Sequence, residues 1–141
     1  MSAALIAALF FTAVLLLITT YFVMGSVPLL ILEHDVPMDA RFVRGFFNSY
    51  YIAFIGGAAG AAASYVLAGR LAFAAGAAAL ALLAAVLRRT VLAAMQRLGA
   101  QIPVDGRTAV RAFRRVHATA IVINLLQLAP LVWSLIVVSR G

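Results

Sequence analysis

From Ala3 to Met24 the chain carries no charged side chain at all. A helix over that stretch rises about 1.5 Å per residue and so covers the roughly 30 Å hydrocarbon core of a bilayer. This feature confines the chain to folds whose solvent is lipid, where only helices and closed barrels satisfy their own backbone. The absence of a basic residue before the run, and its length beyond a signal core, predict an uncleaved first span.

The rest of the chain repeats the pattern. Of 141 residues, 66% are hydrophobic and 11% charged, with a mean hydropathy of +1.11. A soluble domain needs about 25% charged residues to cover its surface. The expectation is therefore an all-α integral membrane bundle of about four transmembrane helices, forming one domain over 1–141. The spans are read at about 3–32, 42–68, 71–98 and 107–138. The third projects past the bilayer as a cytoplasmic extension, because Val91, Leu92, Met95 and Leu98 keep helical spacing beyond Arg88 and Arg89.

Breakers mark the boundaries. Pro28 removes a backbone donor near the end of span one and predicts a kink there, with Thr19, Thr20 and Ser26 able to bond freed carbonyls. Glu33 to Asp39 is polar, contains Pro37 and reads as a loop. Gly69-Arg70 reads as a tight turn, Gly99 as a helix stop and Gln101 to Gly106 as the turn before the last helix. Pro130 predicts a kink in span four.

Charge sets the orientation. All eleven cationic residues are arginines. With four spans, Arg41, Arg44, Arg88, Arg89, Arg97, Arg107, Arg111, Arg114 and Arg115 share one side, leaving Arg70 and Arg140 on the other. The positive-inside rule makes the first side cytoplasmic. The expectation is a bacterial inner membrane protein with both termini periplasmic. The arginines flank apolar segments, so they read as membrane-edge anchors and not as a nucleic-acid surface. Arg88, Arg89, Arg111, Arg114 and Arg115 are the candidates for lipid headgroup contact.

Few residues offer chemistry. There is no cysteine, so no disulfide, iron–sulfur cluster or thiolate zinc site forms within the chain. No H-E-x-x-H, phosphate-loop or G-x-S-x-G pattern occurs, and no catalytic residue is assigned. His34 ends span one and His117 begins span four, at one depth if those spans are neighbours. As candidate cofactor ligands they would suit a metal or the iron of haem b. His117 and Asn124 are seven apart, hence on one face, with Gln127 about 60° away. Together with Asn48, Ser49, Tyr50 and Tyr51 of span two they form a polar interior: interhelical hydrogen bonding, or else a proton or substrate path. Gly56, Gly60 and Ser64 recur every four residues and form a helix-packing stripe.

The stretch Phe113-Arg114-Arg115-Val116-His117, followed by Asn124-Leu125-Leu126-Gln127, resembles the last span of a family of small uncharacterised bacterial four-helix membrane proteins, and Gly25-Ser26-Val27-Pro28 resembles its exit from span one. That likeness implies the fold and no activity. The order Gly25, Pro28, His34 is loosely similar to HemJ-type membrane protoporphyrinogen oxidases, which implies haem association. Copper-resistance membrane domains of the D type are similar to a comparable degree. The leading expectation is a non-catalytic bundle, acting as a structural or accessory subunit that packs with itself or a larger membrane complex. The alternative is a haem- or metal-dependent membrane oxidoreductase using His34 and His117. A lipid-binding or small-molecule carrier is a third class.

Overall fold

The computed structural model describes residues 1–33 and 37–141. The described residues are helical throughout, in the order α1 (Ala3–Leu29), α2 (Pro37–Leu67), α3 (Leu71–Leu126) and α4 (Leu128–Arg140). Three stretches are long and apolar enough to cross a membrane: α1, α2 and the continuous run Leu71–Arg140.

The last of these folds back on itself. Gly106 interrupts α3 with φ +43° and ψ −113°, a conformation L side chains rarely adopt. On either side of it, Val91 and Ala94 line the same surface depression as Thr119 and Ile123. Farther out, the rings of Phe73 and Trp133 stack at 5.8 Å. A straight helix would hold that last pair roughly 90 Å apart. The two arms, 71–105 and 107–140, therefore run antiparallel.

The turns follow from local chemistry. Ser2 caps α1 by accepting from the Leu5 amide at 3.2 Å. Past Pro28 the helix tightens, with Leu30 donating to Val27 and Ile31 to Pro28, and α1 ends at Leu29, earlier than the expected 32. Pro37 opens α2, where its missing N–H costs nothing, and Asp39 in the first turn suits the positive helix end. Residues 37 to 39, the end of the stretch whose polarity indicated a loop, are thus helix, and α2 begins earlier than the expected 42. Gly69, at φ +71°, closes α2 as expected: Gly69 donates to Val66 and Arg70 to Tyr65, the paired bonds of a Schellman motif.

The expected stop at Gly99 does not stop the chain: Gly99 stays helical, with its bare Cα against Ala40, 3.3 Å from where a Cβ would stand. The expected turn over residues 101–106 narrows to its last residue: Pro103 lies within helix and the reversal falls at Gly106. At the other end Pro130 acts as expected. Its ring excludes the normal bond to the Leu126 carbonyl, and the helix breaks at Gln127.

The helices pack along seams of seven-residue period. On α1 the buried positions are Ala8, Thr12, Leu15, Thr19, Phe22 and Ser26, alternating steps of four and three. That spacing keeps one stripe inward along the helix. Close approach of α1 to α2 depends on Gly57 and Gly60, where an added Cβ would stand 2.9 Å from Leu15 and 2.7 Å from Phe11. Gly56 is exposed with open space around it, so the intramolecular stripe is Gly57, Gly60 and Ser64. Four-residue steps drift around a 3.6-residue helix, and steps of three and four do not.

Candidate functional site in the polar core

The inward seam of α1 splits into two rows. Ala8, Leu15 and Phe22 form one; Thr12, Thr19 and Ser26 form the other, a hydroxyl every seven residues. α2 answers with buried Tyr50, Tyr51 and Tyr65, and the arm after Gly106 with buried His117, Asn124 and Gln127. In lipid an unpaired polar group costs several kcal/mol, so these side chains turn inward and meet.

They meet in pairs across helices. Tyr65 and Thr12 lie 3.0 Å apart, hydroxyl to hydroxyl. The Tyr50 hydroxyl sits beside Thr19 and donates to Gln127 Oε1 at 3.5 Å. Asn124 Nδ2 donates to the Tyr51 hydroxyl at 3.4 Å. Each carboxamide is used on one atom only: Asn124 Oδ1 and Gln127 Nε2 are buried without a hydrogen bond among the described residues. Around the pairs stands an aromatic wall. Phe22 stacks on Tyr50 at 4.0 Å and meets Phe47 edge-on at 4.8 Å.

His117 has no exposed surface, and its ring meets Phe47 edge-on at 5.2 Å. A haem ligand needs an open slot beside its nitrogen for a flat macrocycle, and packing on this scale does not fit one. His34 and Asp35 lie outside the described residues. Among the described residues no three His, Asp or Glu side chains gather as a metal site.

The remaining site residues occupy the walls. Asn48 is half-buried and accepts from Arg88 Nε at 3.0 Å, so it belongs to the α2–α3 flank and not to the polar interior. Ser49 is exposed and donates to the Gly45 carbonyl. Arg114 Nη2 donates to the Leu30 carbonyl at 2.8 Å, a cationic cap on the C-terminal end of α1. Arg89, Arg111 and Arg115 are exposed. Arg114 on Leu30, with Arg107 and Arg111 around the depression that holds Glu33, puts the arginine-rich segments at the same end of the bundle as the α1 terminus.

The hydroxyl row of α1 and the role of Tyr65 were absent from the sequence reading. The signal was available: Thr12, Thr19 and Ser26 repeat at seven inside an apolar run. The site is thus a column of hydroxyl–hydroxyl and tyrosine–carboxamide pairs through a helical bundle, and comparison of the chain with known family models, curated proteins and solved structures finds no match.

Proposed function

We propose that this chain is a four-span inner-membrane protein whose role is structural: an accessory subunit that packs with itself or within a larger membrane complex. The observation that carries the reading is the use of the interior polar groups on one another. Tyr65–Thr12, Tyr50–Gln127 and Tyr51–Asn124 each join two helices, as interhelical hydrogen bonds in membranes do. The four acidic side chains all belong to the segments 33–39 and 105, outside the apolar cores of the spans, so an ion-coupled cycle has no acid to titrate there. The two arms of Leu71–Arg140 act as the third and fourth spans, with Gly106 and the arginine-rich segments in the cytoplasm and both termini in the periplasm.

Gly56 supplies the test. Gly56 is exposed and a Cβ added there meets nothing within 4 Å, so Gly56→Leu is expected to leave the bundle folded while placing a large side chain on the outer face of α2. The expected outcome is a native helical spectrum together with a smaller assembly than the wild type in mild detergent, read by light scattering. A wild type that is monomeric in detergent and yields no crosslinked assembly in native membranes would overturn the structural role. A periplasm-active reporter fused after Gly141 is expected to be active; activity of a cytoplasmic reporter instead would reverse the orientation.

A further inference from the structure

Thr90, Val91 and Ala94 of the arm before Gly106, with Arg115, Thr119, Ala120 and Ile123 of the arm after it, border a depression on the outer surface of the bundle. Its polarity is graded along its length. The arms run antiparallel from Gly106, so Ala94 and Arg115 stand at the end nearer the hairpin turn, and Ile123 stands about 12 Å deeper. Thr90 and Thr119 lie one helical turn in from Ala94 and Arg115. Buried Val91 and Ala120 form the floor. One end is therefore cationic, the next turn carries hydroxyls, and the rest is apolar.

The depth of the cationic end follows from charge and helical rise. No charged side chain occurs between Arg70 and Arg88, a stretch of about 27 Å that nearly matches the roughly 30 Å hydrocarbon core of a bilayer. With the core over that stretch, Ala94 lies roughly 9 Å beyond Arg88, and it and Arg115 stand in the headgroup layer.

Nothing in the depression offsets the charge, since none of the residues bordering it is acidic. Arg111, one turn nearer the hairpin, borders a separate depression together with Glu33. Arg88 and Arg114 donate to Asn48 and to the Leu30 carbonyl. Arg97 is exposed and lies seven residues after Thr90, hence on the same side of its arm, and adds a second cation toward the same end. A guanidinium suits phosphate, which it grips with paired N–H donors.

We infer that this depression binds an anionic phospholipid, with the phosphate on Arg115 and one acyl chain laid along Val91, Ala120 and Ile123. The arginine without an acid beside it selects the phosphate. The apolar run beneath selects a lipid over a free phosphate. The headgroup carries net negative charge, because the depression offers no carboxylate to a choline or ethanolamine cation. The inference rests on the reading of the chain as membrane-spanning and is independent of the accessory role.

Two measurements on the full chain separate that reading from the site. Insertion into liposomes is read as resistance to carbonate extraction; a chain that washes off overturns the membrane reading and the site with it. The chain in mild detergent is then offered equal amounts of phosphatidylglycerol and phosphatidylcholine with matched acyl chains, and bound lipid is counted by native mass spectrometry. Phosphatidylglycerol is expected to be preferred about fivefold or more. Arg115→Gln is expected to bring the two lipids close to parity. Arg89→Gln, which removes an equal charge from an exposed position outside the depression, is expected to leave most of the preference. Thr119→Leu replaces an exposed wall residue and is expected to reduce binding of both lipids while the helical spectrum is retained. Equal binding of the two lipids by the wild type would overturn the site, as would undiminished binding in a folded Thr119→Leu variant. Equal losses in Arg115→Gln and Arg89→Gln would also overturn it, by showing an attraction spread over all the arginines. So would a crosslink from position 119 to a second copy in native membranes, which would assign the depression to self-assembly.

Discussion

The two halves of the bundle use the same polar chemistry inside walls of very different side-chain size. Toward the arginine-rich end, Tyr50, Tyr51, Asn124 and Gln127 pair inside a wall of Phe22, Phe47 and Phe54, and the fit is close enough to bury His117 completely. Toward the termini, Tyr65 and Thr12 pair just as directly, but their neighbours include Ala61, Ala72, Gly76 and Ala77, and a cavity remains. Hydrogen bonding sets which helices face one another; side-chain volume decides whether the space between them is filled. For helices apolar enough to cross a membrane, lipid would leave little hydrophobic drive to close such a gap, because lipid tails solvate leucine as well as protein does.

The sharpest way to break this contrast is Phe22→Ala, which puts beside Tyr50 the small side-chain wall the other half already has. The expected cost is about 3 to 5 kcal/mol, by analogy with aromatic truncation in packed cores, read from unfolding in a denaturing detergent titration. A loss under about 1 kcal/mol would mean that the aromatic half is no better packed than the cavity half. A double-mutant cycle of Tyr51→Phe and Asn124→Leu sharpens the polar side of the comparison. The coupling is expected at roughly 0.6 kcal/mol, with about 1.7 as the ceiling for such pairs in a membrane. Zero coupling would remove the Tyr51–Asn124 bond from the account. The smallest effect belongs to the loose half. Gly76→Ala enters open space and replaces a poor helix former, so a gain of up to about 1 kcal/mol is expected. A clear destabilisation there would show that the cavity wall is tighter than its geometry indicates.

Much of the helix layout was legible in the sequence for a local reason. Gly69 and Pro130 act on their own backbone within one turn, so the Gly69 turn and the interrupted hydrogen-bond ladder at Gln127 follow from residue type, whereas α1 ends at Leu29, short of the expected 32. Gly99 misled because a glycine offers a stop without imposing one, and its surroundings come from elsewhere in the chain. Gly99 lies against Ala40, some sixty positions away, and the helix runs on past it. The same distinction applies to the site. The inward face of His117, Asn124 and Gln127 could be read from spacing, and Tyr50 and Tyr51 were named among several α2 residues available to pair with it. That these two meet the carboxamides, and not Asn48, depends on how α2 is rotated against the last arm.

By itself, then, the sequence determined the apolar character of the helices, long enough to cross a membrane, the helical class and the inward period. Those follow from transfer free energy and from backbone hydrogen bonds that close within each helix. The tertiary structure alone decided that Gly57 and not Gly56 admits α1, that Thr12 of the α1 hydroxyl row meets Tyr65 of α2, and that an open depression remains beside Gly76. Each of these depends on the relative rotation and separation of two helices. Those quantities are set by the summed contacts of many side chains, and no short stretch of sequence contains them.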